Sequence, residues 1–195
     1  MIKEPKMQMN NIPLDVQNQL DDVFGELVVD LRMLQSQGVL KDVDIRKVRN
    51  QAEVSRDAML ETLADFDFDN QARHKLLYAL IRDFETSIQR ILENAVARKG
   101  SKALVAYKLN KTDKKIKKHM TSLRLPFQEQ QRFIFAMAVT KAYILRTIPE
   151  KTNLFGKKIN VERIVDDYSA IMLEFLSNRA ELSAAQETVH GHRQR

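Results

Sequence analysis

Residues 76–95, LLYALIRDFETSIQRILENA, decide the fold. Leu77, Ile81, Phe84, Ile88, Ile91 and Ala95 follow one another at intervals of four, three, four, three and four. That repeat puts apolar side chains on one face of an α-helix. Leu76, Leu80 and Leu92 widen the stripe beyond the narrow seam of a coiled coil. The helix is therefore expected to be covered on two sides, as in a bundle. Gly100 supplies a stop.

The same rhythm recurs on both sides of this stretch. Upstream, Pro13 opens a helix whose face is Val16, Leu20, Val23, Leu27, Leu31 and Leu34, with Gly38 at its end. A second helix, capped by Asp42 or Asp44, turns Ile45, Val48, Ala52, Met59 and Leu63 inward. The run Asp65-Phe66-Asp67-Phe68-Asp69-Asn70 ends it, because short carboxylates compete with the backbone for hydrogen bonds. Downstream, residues 127–148 are nearly apolar all round after the first turn, so this helix is expected to be central and buried between Pro126 and Pro149. After a loop at 150–159, Val161, Ile164, Val165, Tyr168, Ile171, Met172, Phe175, Leu176 and Leu182 form a last amphipathic helix. These stripes place Phe84, Ile88, Ile134, Met137, Ile144, Ile171 and Phe175 in the core.

Composition agrees with helix. The chain has 195 residues, 44% of them apolar, with only five Gly and four Pro and no Trp. An all-β chain of this length needs many more turn residues. The expected fold is all-α: a compact bundle of about five long helices plus one or two short ones. Residues 13–183 are read as a single helical domain between flexible tails at 1–12 and 184–195.

Several kinds of chemistry lack their residues. There is no Cys, which removes disulfides, thiolate nucleophiles and Cys-ligated metal sites. The four histidines, His74, His119, His190 and His192, fall in no metal-binding spacing. No Gly-rich phosphate loop or Gly-x-Ser-x-Gly elbow occurs. Asp65, Asp67 and Asp69 resemble the opening of a calcium loop, but Asn70 stands where Gly is required and Leu76 where Glu should close it. The expectation is a protein that is not an enzyme and needs no metal or cofactor. The first residues lack an apolar export core, and the longest apolar run, 133–139, is too short to span a bilayer. A cytoplasmic location without membrane attachment follows as the expectation. On the same grounds the sequon Asn110-Lys111-Thr112 is read as chance.

Charge is the strongest functional signal. Residues 1–97 hold 12 Lys and Arg against 17 Asp and Glu, a net −5. Residues 98–124 hold 10 against Asp113 alone, a net +9, and residues 125–195 hold 10 against 8, a net +2. The cations of the middle segment are Arg98, Lys99, Lys102, Lys108, Lys111, Lys114, Lys115, Lys117, Lys118 and Arg124. Ordinary surfaces mix signs, so this run points to an anionic partner. Leu104-Val105-Ala106-Tyr107 reads equally as helix or short strand. Thr112 or Asp113 can then cap a short helix anchored by Ile116 and Met120, with Lys114, Lys117 and Lys118 on its outer side. Lysine is a point charge suited to phosphate rather than to base reading.

Two stretches resemble a helix-turn-helix. Ala52-Glu53-Val54-Ser55-Arg56 lacks the Gly its turn wants, and a continuous helix is the simpler reading. Residues 112–132 place Gln128-Glu129-Gln130-Gln131 at the start of a second helix, where Gln can pair with adenine. The plainer reading is an exposed first turn. The expected function is therefore nucleic-acid binding, to DNA or RNA, by a regulator, a DNA-organising factor or a nucleoprotein subunit. The alternative is a protein adaptor or assembly subunit whose basic segment docks an acidic partner. Pairing of the last helix with a second copy, as a homodimer, stays open.

Overall fold

Pro13 and Pro126 each precede a helix, where a fixed φ and a missing N–H cost nothing. The computed structural model describes residues 12–149 and 159–191, with side chains as far as residue 182. Among these residues there are six α-helices and no strand. They are α1 (Leu14–Ser36), α2 (Asp42–Ala64), α3 (His74–Ala97), α4 (Ser101–Ser122), α5 (Phe127–Thr147) and α6 (Val161–Gly191). No helix among the described residues is long and apolar enough to cross a membrane.

The ends follow local chemistry. Gly38 takes φ +68° just after α1, a left-handed conformation that glycine adopts without steric cost. α2 starts at Asp42, and Asp44 accepts a hydrogen bond from the Lys41 N–H at 3.0 Å. Asp44 thus closes the cap from inside the first turn rather than standing before the helix. The acidic run after α2 is a turn, as its composition predicts. Asn70 accepts from the Ala72 N–H at 3.1 Å and opens a 3₁₀ turn, Gln71–Arg73, that leads into α3.

Contacts divide the chain into two compact units between Lys99 and Gly100, inside the stretch 13–183 that sequence treats as one domain. In the first unit α2 and α1 both pack on α3. Leu20, Leu31, Leu34, Val48, Leu63, Phe84, Ile88, Leu92 and Val96 are buried there. Ile12, assigned by sequence to the tail, is buried too, and its carbonyl accepts from the Gln17 side chain at 2.7 Å. Phe24 stacks on Phe84 at 6.1 Å, and Arg56 lies over Phe24 while pairing with Asp21 at 2.8 Å. The early turns of α3 are barer than the stripe suggests, since Leu76 and Tyr78 are exposed.

In the second unit α4 packs on both α5 and α6. Its core joins Val105, Leu109, Ile116, Met120, Phe133, Met137, Tyr168, Met172 and Leu176. Ile134, Ile144 and Phe175 pack against that core, partly buried as neighbours of the stripe.

Four expectations are corrected here. No separate short helix starts at Thr112 or Asp113: α4 runs unbroken for 22 residues and takes in 104–107, which sequence leaves open between helix and strand. Ile171 is 55% exposed, because Tyr168, Met172 and Leu176 carry the inward stripe and Ile171 stands beside it. α5 is not buried all round: only Phe133 and Met137 are fully covered. α6 continues to Gly191 through Ala184, where sequence begins a tail; Ala184-Ala185-Gln186-Glu187 are strong helix formers. The tail at 1–11 and most of the loop at 150–159 lie outside the described residues, as does His192.

Candidate functional site

α4 is helical through its basic stretch because its apolar residues keep one rhythm, Val105, Leu109, Ile116 and Met120, and all four are buried. Asp113 stands four after Leu109 and three before Ile116, on that same stripe. It is buried accordingly, at 7% exposure. Its carboxylate accepts from the Tyr168 hydroxyl of α6 at 2.5 Å and from the Lys141 ammonium of α5 at 2.5 Å. Lys141 also donates to the Asn110 side chain at 3.0 Å. One buried carboxylate therefore ties α4, α5 and α6 together. Burial among apolar neighbours and the adjacent Asp113 carboxylate raise the pKa of Tyr168 above its ordinary value, since both disfavour phenolate.

With Asp113 turned inward, the outward face of the last turns of α4 carries cations and no carboxylate of its own helix. Lys111, Lys114 and Lys118 follow at spacings of three and four, with Lys115 beside them and Lys117 on the opposite flank. Lys114, Lys115, Lys117 and Lys118 are exposed, and Lys111 is partly buried, its ammonium 5.6 Å from the centre of the Tyr107 ring. Among the described residues, Lys115, Lys117 and Lys118 take part in no ion pair.

Arg124 adds a further feature. It follows the C-cap Leu123 with φ +50°, a left-handed conformation that glycine adopts more readily than arginine. Replacing Arg124 by Gly should raise stability by about 0.5–1 kcal/mol, read as a higher denaturation midpoint. An unchanged midpoint would mean that contacts of the arginine offset the backbone strain.

The remaining cations of the basic segment are placed differently. Arg98 is exposed at the end of α3. Lys99 pairs with Asp44 at 2.8 Å, and this ammonium, with the Lys41 N–H, holds the Asp44 carboxyl below its usual pKa. Lys102 is partly buried, and Lys108 pairs with Glu162 at 2.8 Å. Arg98 and Lys99 belong to the first unit and the other eight to the second. The structure thus gathers Lys111, Lys114, Lys115, Lys117, Lys118 and Arg124 at the end of one helix, and it engages Lys99 and Lys108 with carboxylates.

Other sequence candidates resolve by geometry. Ala52–Arg56 lies inside the unbroken α2, so it forms no turn. Gln130 donates to the Leu125 carbonyl at 2.7 Å, and Glu129 pairs with Arg132 at 2.8 Å and Arg179 at 3.4 Å, while Gln128 and Gln131 are exposed. Among the described residues no group of three or more His, Asp or Glu comes together as a metal site. An open groove of about 550 Å³ runs between α2 and α3, lined among others by Lys47, Gln51, Ser55, Ser87 and Asn94.

Sequence reasoning missed Asp113, Lys141 and Tyr168 as a group, although each sits on an inward stripe. No protein-family model matches the chain, and neither a curated protein nor a solved structure is significantly similar to it.

Proposed function

We propose that this chain is a nucleic-acid-binding protein that grips phosphates with the outer face of α4. The observation that carries the reading is the inward turn of Asp113, which leaves Lys114, Lys115, Lys117 and Lys118 as an exposed face of one sign on a long helix. Lys114 and Lys118 lie one turn apart, about 6 Å along the axis. Ammonium groups on flexible stems neutralise phosphates without reading bases, so binding should be largely independent of sequence. Arg124, next to this face, adds a guanidinium able to take a phosphate in two hydrogen bonds. The proposed activity is binding, with no bond made or broken.

The test is a salt titration of binding to duplex DNA, single-stranded DNA and RNA. Each phosphate neutralised on duplex DNA contributes about 0.9 to the slope of log affinity against log salt. Changing Lys114, Lys115, Lys117 and Lys118 together to Gln should flatten that slope by roughly two to four units. Folding stability should move by no more than about 0.5 kcal/mol, because exposed Lys-to-Gln changes remove no core contact. Equal affinity and equal slope in both proteins would defeat the reading. Loss of a protein partner in a nuclease-resistant pull-down, with nucleic-acid binding absent, would put the adaptor reading in its place.

A further inference from the structure

The outer face of α5 is apolar where a solvated helix face should be polar. Phe135, Val139 and Tyr143 are 71%, 51% and 69% exposed, at successive spacings of four. Ala138 and Ala142 lie exposed between them. The five residues form one stripe on the side opposite Phe133 and Met137. Two aromatic rings flanking a strip of alanines suit a second helix, because alanine lets a backbone approach closely and large rings supply the anchors.

The charges around this stripe select the occupant. Arg132 lies at its N-terminal end and Arg146 at its C-terminal end, both exposed and both within the arc of the stripe. Among the described residues of α5 no carboxylate lies on this face: Glu129, the only acid of α5, is held by Arg132 and Arg179 with its side chain 18% exposed. A second copy of the same face would bring like charges together. Antiparallel pairing sets Arg132 against Arg146, and parallel pairing sets each arginine against its own counterpart. A partner helix with an apolar stripe and an acidic residue near each end has no such conflict. The two arginines are 14 residues apart, so the matching acids should be separated by about 21 Å, or four turns.

We infer that the Phe135–Val139–Tyr143 face of α5 is a docking surface for an amphipathic helix with acidic ends. It uses a different helix face from the phosphate-binding proposal and does not depend on it. In this arrangement Phe135 and Tyr143 anchor the partner, and Arg132 and Arg146 fix its register and orientation.

The experiment uses the full chain and two fluorescent helical peptides of about five turns, which span the face. Both carry leucines at alternating spacings of three and four; one has Glu at two positions 14 apart, matching Arg132 and Arg146, and the other has Lys there. Anisotropy titration should show the Glu peptide binding at least tenfold more tightly than the Lys peptide. The double change Phe135→Gln and Tyr143→Gln should weaken it at least tenfold, with the melting temperature unchanged. Arg132→Gln with Arg146→Gln should erase the difference between the peptides. The variant with the four α4 lysines changed to Gln should bind the Glu peptide as the parent does. Four results in these titrations and melts would overturn the proposal, and a fifth comes from the oligomeric state. The four are equal binding of both peptides, no effect of the Phe135 and Tyr143 changes, loss of peptide binding with the α4 lysines, and a marked fall in melting temperature on changing Phe135 and Tyr143. The last would mean that the molecule's own interior uses this face. Concentration-dependent dimers that vanish with Phe135→Gln would likewise replace the acidic helix with a second copy.

Discussion

Replacing Asp113 by Ala is expected to cost about 3 kcal/mol of folding stability, measured by denaturant unfolding. The change removes the acceptor of the Tyr168 hydroxyl and the counter-ion of the Lys141 ammonium, which keeps its hydrogen bond to the Asn110 side chain. Breaking a buried pair by removing one partner typically costs about 3–5 kcal/mol. The low end applies because the Lys141 side chain remains 25% exposed and can reach water. The magnitude separates two roles. An Asp acting as a helix N-cap, as sequence suggests, would lose only about 1 kcal/mol. Tyr168→Phe should cost less than Asp113→Ala, about 1.5–3 kcal/mol, since it removes one hydrogen bond to a charged group and leaves the ion pair.

The same cluster sets an alkaline limit. Tyr168 is 1% exposed and its pKa is raised, so the folded state holds this proton more tightly than the unfolded chain does. The stabilising effect is complete below about pH 10, where free tyrosine ionises. Above that pH the unfolded state loses the proton first, and stability falls by about 1.4 kcal/mol per pH unit for this group alone. Tyr168→Phe should remove that part of the slope. An unchanged alkaline profile in the variant would show that other groups set the limit.

Phe133→Ala should cost about 3–5 kcal/mol, while Phe135→Ala, two residues on, should change stability by less than about 0.5 kcal/mol. Phe133 is 1% exposed and its ring stacks on Phe175 at 5.8 Å with planes 14° apart; Arg179 lies over the other partner of that stack, 5.3 Å from the Phe175 centre. Truncation there removes ring contacts and leaves a cavity that two helices cannot readily close. Phe135 faces away from that core, so its loss leaves no void. Comparable losses at both positions would mean that α5 is covered on both sides after all.

The contrast between Phe133 and Phe135 shows where sequence stops being informative. The stretch 127–148 contains enough apolar residues for burial on any side, so its composition cannot pick a face. α3 is different: a stripe bounded by charges identifies Phe84 and Ile88, and both are buried. The basic segment is a third case. Its charge was plain in the sequence, but the break assigned to Thr112-Asp113 rested on treating Asp as a capping residue. Read instead by spacing from Leu109 and Ile116, Asp113 belongs to the buried stripe. Lys141, four residues after Met137, and Tyr168, four before Met172, carry the same signal. A titratable side chain on an apolar stripe calls for a partner from another helix, and sequence does not say which helix supplies it.

By itself the sequence determined that this chain is helical, where most helices begin and end, and where the positive charge lies. Those properties are local: they depend on spacings of three and four residues and on Pro and Gly at the boundaries. Packing settled the rest: among the described residues the α-helices form two sets of three, Asp113 leaves the basic face for the interior, and α5 keeps one apolar side open. The physical reason is that apolarity fixes which side chains gain by burial, whereas burial itself needs a neighbouring surface. Among the described residues each unit has three α-helices, and packing α4 against both α5 and α6 leaves α5 with only one covered side.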